Sequence, residues 1–224
     1  MGFSHTLVAV RDLSPDEAAA RLGRSPSGET TDLETATTGE TPGWCVSAPI
    51  DGWTFLVDKG TGLLTDEDGL ARLSAGTRLL TFFVEEHVMA FGTTCWTDGA
   101  YAWEVLAQDG DLYVIGDPPP FGELVSGFRE GPGVVAALDE VTAPPPEMWE
   151  ELGFDGNARP SARAAALGLA VRRAEPAEET SYHQPAVEIF ARLTGHVYDR
   201  AGALHDVELQ VLGPALVTPE ETVR

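Results

Sequence analysis

The chain has 224 residues, of which 43% are apolar, with five Trp and nine Phe. That is enough for a packed core and argues against disorder. The formal charge of −22, from 36 acidic and 14 basic residues, excludes nucleic-acid binding through a basic face, and no run reaches the ~20 apolar residues of a membrane helix.

Met1-Gly2-Phe3-Ser4-His5 has neither the basic nor the apolar region of a signal peptide, so the expected location is cytoplasmic. Phe3 to Val10 reads as a strand. Ser14 as N-cap, Pro15 at the first helical position and Glu17 closing a capping box predict a helix over Asp16 to Leu22. Gly23 ends it. Residues 24–42 contain six threonines and Leu33 as their one large apolar side chain. They offer too little surface to offset the entropy of ordering, so a long mobile loop is expected.

The stretch from Trp44 to Gly116 organises the rest. Asp-Gly pairs at Asp51-Gly52, Asp98-Gly99 and Asp109-Gly110 suit two-residue hairpin turns, which need a positive φ at both central residues. They separate strand-like runs over Trp44 to Pro49, Trp53 to Asp58, His87 to Trp96, Ala100 to Ala107 and Asp111 to Gly116. Another run covers Arg78 to Glu85. Trp53, Phe55 and Val57 share a face, as do Tyr101, Trp103 and Val105, which predicts a sheet packed on one side. The glycine-rich Lys59-Gly60-Thr61-Gly62 lacks the continuation of a phosphate loop and reads as a turn. Thr65 is placed to cap a helix over Asp66 to Leu73, with Asp66, Glu67 and Asp68 at its positive end and Gly76 closing it.

Beyond the sheet, Pro118-Pro119-Pro120 and Pro144-Pro145-Pro146 read as rigid connectors. Helical spacing is visible over Phe121 to Arg129, Gly133 to Val141, Glu147 to Leu152 and Ser161 to Arg173. An acidic linker over Ala174 to Ser181 leads to a helix at Pro185 to Leu193. A strand at Asp206 to Leu212 precedes a frayed tail over 214–224.

Candidate chemistry is sparse. Cys45 and Cys95 each lie beside a Trp in a predicted strand, where a thiol serves as a small apolar group. The five histidines show no metal-ligand spacing, so no metal and no cofactor is expected. In Glu85-Glu86-His87 the alternation of a strand puts Glu85 and His87 on one side and Glu86 on the other. The five Trp read first as sheet core; the alternative is that one or two lie on the open face, where Trp53, Trp96 and Trp103, with Glu85 and His87, make the candidate interface or ligand face, because an exposed Trp anchors interfaces.

Several stretches together resemble an uncharacterised domain family common in high-GC Gram-positive bacteria. They are Leu7-Val8-Ala9-Val10-Arg11-Asp12-Leu13-Ser14-Pro15-Asp16-Glu17, Gly52-Trp53-Thr54-Phe55-Leu56-Val57, Leu73-Ser74-Ala75-Gly76-Thr77 and Ala191-Arg192-Leu193-Thr194-Gly195. The resemblance spans most of residues 7 to 195. It implies no catalytic residue, since that family has no assigned activity. The 24–42 insertion and the extended C-terminus depart from it.

The resulting expectation is a single α+β domain over 1–224. It has a curved antiparallel sheet of about six or seven strands, with helices mainly on one face. The charge reads first as solubility or adaptation to salt; as a functional signal, together with the missing chemistry, it favours a non-enzymatic interaction module, immunity- or antitoxin-like, with a basic protein partner. The alternatives are an enzyme or small-ligand binder using the concave sheet face near Glu85, His87 and Trp103, and a subunit of a larger assembly.

Overall fold

The computed structural model describes residues 4–38, 43–60, 62–87, 89–108, 111–119, 139–140, 171–174, 183–200 and 202–214. These residues form an α+β protein whose registered strand pairs are all antiparallel. The chain divides into two compact units. One comprises Ser4–Leu80, Trp96–Ala100 and Asp199–Arg224, here the N-terminal unit; the other comprises Met1–Phe3, Thr81–Cys95 and Tyr101–Tyr198, here the central unit.

In the N-terminal unit, β1 (Ser4–Arg11) leads into α1 (Pro15–Arg21), then β2 (Pro26–Thr31), α2 (Leu33–Thr38), β3 (Cys45–Ser47) and β4 (Trp53–Asp58). Two further helices follow, α3 (Gly62–Thr65) and α4 (Glu67–Ser74). The strand order is β2-β11-β3-β4-β1, where β11 (Leu209–Leu212) comes from the end of the chain. β1 and β4 pair from Thr6↔Asp58 to Arg11↔Trp53. Leu7, Val8, Ala9 and Val10 are wholly buried, and β4 is buried from Trp53 to Asp58. The expected one-sided sheet is therefore two-sided in these strands, which is how runs such as Leu7-Val8-Ala9-Val10 arise. Helix α1 packs on α4 and β3, and α2 on β4 and β1.

The capping box forms as its residues dictate: Glu17 N–H donates to Ser14 Oγ, and Ser14 N–H donates to the Glu17 carboxylate at 3.1 Å. Asp51 and Gly52 have φ of 50° and 79°, and Ile50 and Trp53 exchange backbone hydrogen bonds of 2.8 and 2.9 Å across that turn. The cap of α4 is Asp66 and not Thr65. Asp66 accepts from Gly69 N–H at 2.8 Å, while Thr65 is taken up as the last residue of α3.

Residues 24–42, expected as a mobile loop, carry β2 and α2. Backbone pairing to β11 supplies what apolar burial could not, since β2 is exposed from Pro26 to Thr30. Asp32 then accepts from Thr35 N–H at 2.7 Å, which starts α2.

The central unit holds the order β5-β6-β7-β8-β10-β9. Its strands are β5 (Arg78–Glu85), β6 (Ala90–Thr97), β7 (Ala100–Gln108), β8 (Asp111–Gly116), β9 (Asp139–Glu140) and β10 (Val171–Ala174). Both β5 and β6 begin or end in the N-terminal unit. Its described residues also include the helix α5 (Gln184–Thr194), closed by Gly195 in the left-handed region at φ 79°. Eleven strands are therefore present among the described residues, where six or seven were expected. The excess includes β2, β9 and β10, drawn from segments read as loop or helix. Val171–Ala174 overturns the last residues of the helix expected over Ser161 to Arg173, and Asp139–Glu140 interrupts the one expected over Gly133 to Val141. Pairing of Val171–Ala174 with β8 outweighs a helical stripe that its sequence also permits. The helices expected over Phe121 to Arg129 and Glu147 to Leu152, residues 133–138 and 161–170 of the other two, residues 175–181 of the linker and 215–224 of the tail lie outside the described residues. No described helix is long and apolar enough to cross a membrane.

The Ser14 hydroxyl, then the Ser14 backbone N–H, hold the Glu17 carboxyl below its ordinary range; Thr35 does the same for Asp32 through its backbone N–H and its hydroxyl. A folded-state pKa below the unfolded one stabilises the fold above the ordinary carboxylate range. That contribution is lost as pH falls through the depressed value. Ser14→Ala is expected to lower stability by about 1 kcal/mol, or a Tm drop of about 2–4 °C. Thermal unfolding followed across the acid range should show a shallower decline in Glu17→Gln than in the wild type.

Candidate functional site

Alternation along β5 divides the central unit into two faces. Phe82 and Glu86 point to α5, while Phe83 and Glu85 point away from it. On the α5 side, the Phe82 ring meets Phe190 at 5.3 Å and Tyr198 at 5.5 Å. Phe91 stacks on His183 at 4.6 Å, and Thr93 Oγ1 donates to the Ala186 carbonyl at 2.7 Å. Tyr198 closes this side by donating its hydroxyl to Glu86 Oε1 at 3.2 Å. On the opposite side, Phe83 lies over Gly92, where a Cβ would collide with its ring.

Glu85 and His87 come together as strand alternation implies. His87 donates to Glu85 Oε1 from Nδ1 at 2.8 Å and from its backbone N–H at 3.2 Å. A carboxylate fixing an imidazole in this way is the arrangement of an oriented base. The His87 side chain, however, is 67% exposed and stands in bulk water, so the pair is not enclosed with a substrate.

The tryptophans do not join them. Trp53, Trp96 and Trp103 are 5%, 5% and 7% exposed and supply core. Trp53 lies in β4 with the Arg11 guanidinium 5.3 Å over its ring. Trp96 belongs to the same N-terminal unit, and Trp103 sits in β7 opposite Gly116. Trp44 is half-buried beneath Arg24, whose guanidinium is 3.9 Å from its ring. Trp149 lies outside the described residues.

Several polar groups were not singled out by their sequence pattern. Glu104 occupies the polar position of an alternating strand and should face water, yet it is buried and accepts from Tyr101 Oη at 3.0 Å. Asp58, also buried, accepts from Gly60 N–H at 3.0 Å and Leu63 N–H at 2.9 Å. The donors of the glycine-rich turn thus face its own carboxylate, which removes them from service as a phosphate cradle. Met89, in the β5–β6 connection, is 42% exposed.

Among the described residues, no three His, Cys, Asp or Glu side chains converge as a metal site requires. Cys45 and Cys95 are buried. Burial, with Asp58 nearby as a second cause, pushes the Cys45 thiol up to about 11, so it stays protonated and poorly nucleophilic at neutral pH. No known protein family, curated protein or solved structure gives a significant match to this chain.

Native protein treated with a thiol-specific chromogenic disulfide near pH 7.5 should leave Cys45 unmodified, and unfolding should release both thiols. Rapid native modification of Cys45 would contradict its place in β3.

Proposed function

We propose that this chain is a non-enzymatic, cytoplasmic protein-interaction module whose acidic surface engages a basic protein partner, as an immunity or antitoxin protein does. The observation that carries the reading is the charge of −22. A field of that sign steers a basic partner and repels phosphate polymers.

The use of the cations strengthens it. Arg21 Nη1 donates to the carbonyls of Arg72, Leu73 and Ala75 at 3.3, 3.0 and 2.7 Å, and Arg72 Nε donates to the Arg21 carbonyl at 2.9 Å. Arg24 Nη1 donates to Gly213 O at 2.9 Å, and Arg11 Nη1 to Asp51 O at 3.1 Å. These guanidiniums are fixed along the protein's own backbone. Asp16, Glu29, Glu34 and Asp51 are exposed, as are Arg11, which also pairs with Asp12 at 3.5 Å, and Arg72.

The finer architecture belongs to the same proposal: one domain over 1–224, curved, with helices mainly on one face. The resemblance to the high-GC Gram-positive domain family adds no catalytic residue.

A second reading, a small-ligand binder using the sheet face near Glu85, His87 and Trp103, is favoured by the Glu85–His87 pair alone.

Capture of partners by the tagged chain decides between them. A basic protein held at about 0.05 M salt should lose at least tenfold in affinity, roughly, by about 0.5 M, where the Debye length shrinks severalfold. Binding indifferent to salt contradicts the charge reading. Loss of a small-molecule ligand in His87→Ala would favour the second.

A further inference from the structure

We infer that β11 is a detachable strap: it opens together with β2 as one unit, and its opening uncovers the pairing edge of β3.

The last segment of the chain enters the N-terminal unit at Asp199, directly after the central unit ends at Tyr198. It lays Leu209–Leu212 between β2 and β3, antiparallel to both. Leu209, Val211 and Leu212 are buried there, while Gln210 is exposed. The ladder to β3 runs only from Leu209↔Ser47 to Val211↔Cys45, and the ladder to β2 shifts register between Gln210 and Leu212.

β2 depends on that strand. Among the described residues, β11 is its one neighbour in the sheet. Pro26 to Thr30 are exposed and none has a large apolar side chain, so burial offsets little of the entropy of ordering them. When β11 leaves, the ladder bonds of β2 go with it, and the two strands share one opening event. The open form is a minor population, which leaves native Cys45 slow to modify.

Two clasps hold the strap shut. Arg24, just before β2, donates from Nη1 to Gly213 O at 2.9 Å and places its guanidinium 3.9 Å from the Trp44 ring, just before β3. Beside it, Leu212 N–H donates to Trp44 O at 2.8 Å and Gly213 N–H to Ser25 O at 2.9 Å. At the other end, Thr30 Oγ1 donates to Glu208 Oε1 at 2.6 Å, exposed to water.

Closed, the sheet ends on a strand unsuited to further pairing. Pro26 has no N–H to offer, and Gly28 at φ 87° breaks the extended run. Open, the edge passes to β3, where the buried Cys45, Val46 and Ser47 lose their ladder partners on that side. An edge of that kind is a template for another strand, so the strap sets whether the sheet is blunt or competent to pair.

Hydrogen exchange of the full-length chain, read by mass spectrometry and corrected for intrinsic rates, tests this. Segments 25–31 and 206–213 should exchange together, about tenfold or more faster than 5–11 and 53–58. Arg24→Gln should speed both strap segments by the same factor and leave 5–11 unchanged. Val211→Cys, refolded under oxidising conditions, ties β11 to Cys45, its register partner, and should slow both segments.

If 206–213 is as protected as 53–58, β11 is a fixed core strand and the strap is overturned. If the disulfide slows 206–213 and leaves 25–31 fast, β2 opens alone and the shared opening is overturned. Should either variant fail to fold, the wild-type rates decide.

Discussion

The contact between guanidinium groups and backbone carbonyls is what the N-terminal unit depends on. The last turns of α1 and α4 leave carbonyls that no intrahelical N–H can reach, and their partial negative charge adds to that of the chain. Arg21, at the end of α1, covers the carbonyls at the end of α4, while Arg72, in the last turn of α4, covers Arg21 O. Each helix therefore supplies the C-terminal cap of the other. Arg24 performs a related task where β2, β3 and β11 meet, between Gly213 O and the Trp44 ring. Arg11 holds the Asp51-Gly52 hairpin against the end of β1, helped by Asp12 N–H, which donates to Gly52 O at 2.8 Å.

This use of arginine has an electrostatic consequence. A cation committed to carbonyls has its charge screened by the dipoles it binds, whereas an exposed carboxylate projects its field into solvent. The loops that carry Asp12, Asp51 and Asp98 are themselves ordered: Thr77 Oγ1 donates to Arg11 O at 2.6 Å, and Gly76 N–H to Asp98 Oδ1 at 3.0 Å. An acidic surface on fixed loops presents a constant pattern of charge, which is what specific electrostatic recognition requires.

Much of the fold is legible in the residues because its signals are local. The capping box of Ser14 and Glu17, the Asp51-Gly52 and Asp98-Gly99 turns and the Gly23 and Gly76 helix ends act within four residues, and each forms as its chemistry dictates. What the sequence conceals is set at long range. Pro26-Ser27-Gly28-Glu29-Thr30-Thr31 has no apolar pattern, and only its pairing with β11, at the far end of the chain, makes it a strand. Val171–Ala174 fits helix or sheet equally, and β8 decides. The candidate site was legible in part: alternation brings Glu85 to His87 and sends Glu86 to the other side. The tryptophans are legible either as core or as an interface face, and Trp53, Trp96 and Trp103 are core, because a sheet with both faces covered buries residues on either phase of the alternation. Glu104 is hidden for the same reason.

The measurement that tests this account most directly is thermal unfolding of Arg21→Lys beside Arg21→Ala. Lysine keeps the positive charge and discards the rigid planar group that carries Nη1 to the Arg72, Leu73 and Ala75 carbonyls. If guanidinium geometry is the constraint, Arg21→Lys should lose nearly as much as Arg21→Ala, on the order of 1.5–3 kcal/mol. If Arg21→Lys unfolds at the wild-type temperature, charge alone suffices at that site. The division between cations fixed to the backbone and anions facing outward would then lose its basis.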